Sequence, residues 1–297
     1  MKWNIHYIRY ASNLLALSLV ALFPVMGMAQ DQSLNDLIKI AQDAGIEQSR
    51  LDELQSRAAS RGIDDQQLIQ IIEPALALAK QKLPTEMIFQ KAMEGMAKGI
   101  SSQQIQPVLQ NLRLGMESAV LIVGPWVERG DVSQMMRQSG EQISGRAFRN
   151  ELLKAGSKAM SQNVTPEALQ QLLEAIGEEA TLARSKPSGI LTAVSIFSDL
   201  PSTAEHPLAS GAVVARALKS GFGAGDLQKL PGAMNSAQRR SQLPSASVIE
   251  GLSGQMQGGT PASKILQNLS NGNIGGGPPG NVPGLDNKPD RGRPDNR

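Results

Sequence analysis

A short turn recurs along this chain and restricts its fold more than any other feature. A helical pattern runs into glycine, one apolar residue and a capping residue follow, and a new apolar stripe begins. It reads Gly45-Ile46-Glu47 before Leu51, Gly62-Ile63-Asp64 before Leu68, and Gly99-Ile100-Ser101 before Ile105. Asn163-Val164-Thr165-Pro166 before Leu169 is a fourth version, and Gly221-Phe222-Gly223 before Leu227 and Gly259-Thr260-Pro261 before Ile265 are degenerate ones. Glycine or asparagine accepts the left-handed conformation that closes a helix, and the apolar residue after it packs back on the last turn. Ser, Thr or Asp then caps the free amides of the next helix, and proline suits its first position.

Between these turns apolar residues recur at three and four, as in Leu34, Leu37, Ile38, Ala41 and in Leu68, Ile71, Ile72, Ala75. That is the helical period, and it lays one apolar stripe on each segment. The fold class is therefore all-α. The stretch from Leu83-Pro84-Thr85 through Gly99, Ile105 and Leu109 lies without a gap on Leu243-Pro244-Ser245 through Gly259, Ile265 and Leu269. Hairpins that bury their stripes on one another make an irregular array of helix-turn-helix units, with a compact bundle as the alternative.

The expected division is a signal peptide over 1–29, an N-terminal helical-repeat region over 30–184, a C-terminal one over 190–270, and a disordered tail over 271–297. Loose joints are expected at Lys186-Pro187-Ser188-Gly189 and from Ser198 to Pro207. The tail is Gly, Pro, Asn, Asp and Arg with almost no apolar side chains, so it cannot offset its ordering entropy.

Lys2 and Arg9, an apolar run of about ten residues from Leu14, and Gly27-Met28-Ala29 form a cleavable export signal. A run of that length is short of the roughly 20 residues that span a hydrocarbon core. The longest later run, Ala119 to Val127, is broken by Gly124-Pro125 and reads as core. A periplasmic or secreted soluble protein with no stable membrane anchor after cleavage is expected. There is no cysteine, hence no disulfide framework and no lipid attachment at the cleavage point.

Two of the 29 basic residues and none of the 27 acidic ones precede Gln30, which leaves a neutral chain without a basic stripe and argues against nucleic acid as a partner. Past Gln30 the aromatic residues are Trp126, Phe89, Phe148, Phe197 and Phe222, with no tyrosine. Sugar and single-strand nucleic-acid sites built on stacking faces have little material here.

His206 is the sole histidine past Gln30 and reads as a loop residue, so neither a serine triad nor a zinc site can be assembled around it. Gly221-Phe222-Gly223-Ala224-Gly225 follows a helix rather than a strand, which makes it a joint and not a phosphate loop. Glu94, Glu117, Glu128 and Glu174 are the carboxylates that burial would turn into general acids. Glu94 lies between Lys91 and Lys98 at helical spacing, the pattern of a solvated charged face. Arg129-Gly130-Asp131, Asn163-Val164-Thr165 and Asn268-Leu269-Ser270 match adhesion and glycosylation tripeptides but serve as turn or cap elements. Met87, Met93, Met96, Met135 and Met136 fill core at helical spacing, with an adaptable groove as the alternative. No catalytic, cofactor-binding or metal-binding residue is assigned.

The segment Lys91-Ala92-Met93-Glu94-Gly95-Met96-Ala97-Lys98-Gly99-Ile100, with Ile105 after it, resembles a repeat of exported bacterial proteins for which no activity is established. The resemblance runs from Gly45 to Leu112 and implies export and helical hairpins, and no activity. The function expected is a binding or scaffold module of the bacterial cell envelope with an unidentified protein partner. A cell-envelope hydrolase using a buried glutamate is the alternative. Within the repeat, Gly99 is read as a left-handed joint and Gly95 as a mid-helix glycine whose replacement by alanine stabilises by up to about 1 kcal/mol. On export, mass spectrometry is expected to find Gln30 as the N-terminus, and an intact Met1 in the mature pool would contradict the signal reading.

Overall fold

The computed structural model describes residues 33–201 and 209–274. These form fourteen α-helices and no strand among the described residues. The first five are α1 (Leu34–Asp43), α2 (Gln48–Ser60), α3 (Asp65–Lys80), α4 (Glu86–Ala97) and the long α5 (Ser102–Val127). Next come α6 (Gly130–Gln138), α7 (Gly145–Ser161), α8 (Pro166–Ile176) and the single turn α9 (Glu179–Leu182). The last are α10 (Pro187–Ile196), α11 (Ala209–Lys219), α12 (Ala224–Ser241), α13 (Ser245–Gln257) and α14 (Ala262–Asn271).

The joints are built as their residue types require. Gly45, Gly62, Gly99, Asn163, Gly221 and Gly259 all have positive φ, between 68° and 94°. The residue after each returns a backbone N–H to the carbonyl five positions earlier: Ile46 to Ala41 at 3.0 Å, Ile100 to Gly95 at 3.0 Å, Val164 to Ala159 at 3.1 Å. This bond closes a carbonyl that the helix end leaves open. Lys82 and Gln242 form two further left-handed joints, which their side chains do not announce. At eight of the nine left-handed joints between helices the residue six positions on is buried, namely Leu51, Leu68, Ile88, Ile105, Leu169, Leu227, Val248 and Ile265, none more than 4% exposed, whereas after Gly140 it is the exposed Arg146.

The helices stack by alternation. α1 packs on α3, α3 on α5, α5 on α7, α7 on α10, α10 on α12 and α12 on α14. A second row, in which α2 packs on α4, α8 on α11 and α11 on α13, is interrupted by short α6 and α9. Contact chiefly between helices two or three apart along the chain is the pattern of stacked hairpins in an irregular array. Its buried residues form one cluster from Leu37 to Ile274.

α5 is the spine, touching α3, α4, α6, α7 and α8. It approaches α7 closely because Gly115, Ala119, Gly156 and Ser157 meet there, with the buried Ser157 Oγ donating to the Leu112 carbonyl at 2.9 Å. Trp126 Nε1 donates to the Leu173 carbonyl at 2.7 Å and ties α5 to α8. α5 runs through Gly124-Pro125 instead of breaking there. No helix among the described residues is long and apolar enough to cross a membrane.

Several local expectations need correction. Lys186-Pro187-Ser188-Gly189 is no loose joint: Pro187 opens α10, Gly189 is buried, and Glu141 accepts hydrogen bonds from the N–H and hydroxyl of Ser188. α14 includes Asn271, and Ile274 beyond it is buried against Gly251, so ordered packing reaches past the expected start of the tail. Residues 1–29, His206 and 275–297 lie outside the described residues. Ile100 is 40% exposed rather than packed back, and Ser101 occupies the cap position but donates to the Gln104 side chain at 3.2 Å instead of capping.

Gly95 is the sharpest correction. It is buried where α4 crosses α5, and a Cβ placed on it would lie 2.7 Å from Ile105 Cγ1. Gly95→Ala should therefore destabilise by about 1 to 3 kcal/mol through overpacking. Gly99→Val should cost about 1 to 3 kcal/mol for a different reason, left-handed strain at φ +71°. Gly254 is exposed within α13 with nothing near its missing Cβ, so Gly254→Ala should stabilise by up to about 1 kcal/mol. Circular-dichroism melts of the three variants check this pattern, and a stabilising Gly95→Ala would contradict the packing of α4 on α5.

Candidate binding groove

Four helices lay one face each into a continuous trough. α4 contributes Met87, Gln90, Lys91 and Glu94, and α5 contributes Val108 and Asn111. α7 adds Glu151, Lys154 and Lys158, and α10 closes the far end with Leu191, Thr192 and Ser195. Spacings of three and four put each set on one face of its helix. Two openings of ≈ 500 Å³ and ≈ 400 Å³ meet at Met87, Gln90 and Lys158. A narrower extension of ≈ 140 Å³ runs along Lys91, Glu94 and Val108 to Ile100.

Most of the groove's charges are committed. Glu94 accepts from Lys91 at 2.8 Å and from Lys98 at 2.5 Å. Lys154 lies 3.0 Å from Glu151 and 3.7 Å from Glu86, an ion pair that braces α7 against α4. Lys158 has no carboxylate within ion-pair distance among the described residues, and Gln90 and Asn111 make no side-chain hydrogen bond among them. Ile100 and Val108 expose 40% and 41% of their surface at one end.

The four glutamates picked out in the sequence do not form an acid site. The hydrogen bonds from Lys91 and then Lys98, with the attraction of both charges, hold the Glu94 carboxyl down at about 2, against an ordinary value of 4.5. That is opposite to what a general acid needs. Glu117 is half-buried and accepts from Arg113 at 2.7 Å and Gln81 at 3.1 Å, while Glu128 and Glu174 are exposed. No cluster of His, Cys, Asp and Glu suited to a metal exists among the described residues.

The motif-like tripeptides are structural. Arg129 chelates Asp131 and also donates to the Gly177 carbonyl at 2.9 Å, which lowers the Asp131 pKa, chiefly through the Arg129 hydrogen bond. Asn163 is a joint and Thr165 caps α8; Asn268 lies in α14 and donates to Gln255 at 2.8 Å. Phe222 is buried at its joint. Among the methionines Met96 and Met135 fill core, whereas half-buried Met87 lines the groove.

A separate and larger opening of ≈ 590 Å³ lies between α6 and the segment from α9 to Lys186, lined by Asp131, Gln134, Glu179, Arg184 and Lys186. It is formed by two short helices and the loop from Ala183 to Lys186, and Asp131 and Arg184 are already engaged, Arg184 with the Lys219 carbonyl at 3.1 Å. The groove along α4, α5, α7 and α10 is therefore the stronger candidate. Every aromatic side chain of the described residues is buried, Trp126 and the four phenylalanines Phe89, Phe148, Phe197 and Phe222 alike. No stacking face is left on the surface for a sugar or a base.

Compared with known proteins, the chain matches no family model, no curated protein and no solved structure.

Because the Glu94 carboxyl is stabilised in its charged form, this cluster's contribution to stability is present above pH 4.5 and is lost as pH falls toward about 2. In an NMR titration Glu94 should have its midpoint near 2, and Lys91→Gln should raise it. A midpoint above 4.5 would restore Glu94 as a candidate acid.

Proposed function

We propose that the chain is an exported helical-repeat protein that serves as a binding or scaffold module of the bacterial cell envelope. The observation that carries the binding part is the groove laid across four helices of the array, with Lys158, Gln90 and Asn111 uncommitted among the described residues. Arrays of hairpins recognise partners along such extended surfaces rather than in closed cavities. The export part rests on Lys2, the apolar run from Leu14 and the small residues Gly27 and Ala29.

The partner is a protein. Buried aromatics leave sugars and bases without a platform, and the equal numbers of acidic and basic residues beyond Gln30 give no field for nucleic acid. The hydrolase alternative gains nothing from Glu94, whose carboxyl is held ionised. Proximity labelling with the full chain, produced with its own N-terminus in a bacterium that has an outer membrane, tests the reading. Labelling of a small set of extracytoplasmic proteins is expected, and labelling confined to cytoplasmic proteins would overturn it.

A further inference from the structure

The groove's charge and shape indicate what kind of protein segment it takes. Resting on the binding-module reading, we propose that it holds an extended peptide with a carboxylate seated at Lys158. Glu94 neutralises one of Lys91 and Lys98, while Lys154 sits between Glu86 and Glu151. Four lysines thus face three glutamates, and the cation without a carboxylate among the described residues, Lys158, lies where the two larger openings meet. An anionic group is the complement of that point.

The rest of the groove selects a polypeptide. It is an open trough along helix faces, not an enclosed cavity, so a chain can enter sideways. Gln90, Asn111 and Ser195 offer amides and a hydroxyl that both donate and accept, as the alternating N–H and C=O of an extended backbone demand, while Thr192, whose hydroxyl donates to the Ser188 carbonyl at 2.8 Å, adds an acceptor. Exposed Val108 and Ile100 at one end, and Leu191 toward the other, receive apolar side chains flanking the carboxylate, with Met87 at the junction beside Lys158. The carboxylate can come from an Asp or Glu side chain or from a chain terminus.

Fluorescence anisotropy decides the matter with labelled peptides of about ten residues, long enough in extended form to cross several helices. A central Asp flanked by leucines is compared with its Asn isostere, each with a free and an amidated C-terminus. The full chain should favour the Asp peptide by about tenfold. Lys158→Gln, at an exposed position of α7, should abolish the preference, and Lys229→Gln, at an exposed position of α12, should leave it intact. A preference that follows the free terminus instead, and is lost in Lys158→Gln, assigns the carboxylate to a chain end. Equal binding of Asp and Asn peptides with either terminus, or a preference that survives Lys158→Gln, overturns the proposal. No binding of any peptide also overturns it, and the binding-module reading then stands or falls separately on the proximity labelling.

Discussion

One backbone hydrogen bond, closed across six residues by a left-handed joint, sets the exit direction of seven helices, α2, α3, α4, α5, α8, α12 and α14. The bond from Ile46 to Ala41 has counterparts from Ile63 to Ala58, Leu83 to Leu78, Ile100 to Gly95, Val164 to Ala159 and Phe222 to Ala217. The joint fixes the direction of exit, and an apolar residue six positions on falls into the core. That burial is worth about 1.5 to 3 kcal/mol for each large aliphatic side chain. Lys82 and Gln242 hold the same conformation without glycine. Their strain, of order 1 to 3 kcal/mol, is offset by burial of Ile88 and Val248.

The array was legible because its joints demand particular residue types. Glycine and asparagine at positions 45, 62, 99, 163, 221 and 259 mark left-handed backbone directly. Lys82 and Gln242 escaped because nothing in a lysine or glutamine side chain signals positive φ, although the shared Leu-Pro that follows each aligned the two repeats. Gly95 was misread because its neighbour Ile105 lies on another helix, and sequence spacing cannot report how near two axes pass. The exposure of Ile100 has the same origin: the motif gives a residue's place in the turn, not what covers it.

The groove was only partly visible for a related reason. Lys91, Glu94 and Lys98 form the charged face their spacing implies. Lys158 acquires its place in the groove only through the packing of α7 beside α4 and α10, which spacing along the chain does not encode. A helical array separates tasks in this way. Short-range turn chemistry builds it, while its surface is assembled from faces far apart in the chain, braced by contacts such as Lys154 with Glu86.

An array of this kind is nearly one-dimensional, so its helices should not share one opening energy. Native-state hydrogen exchange at increasing denaturant tests this in the intact chain. The account predicts that amides of α1, α2, α13 and α14 open at lower free energy than those of α5 and α7, which have packed neighbours on both sides. A single opening energy for all helices, or α5 opening first, would mean a cooperative bundle in which the joints do not organise the fold.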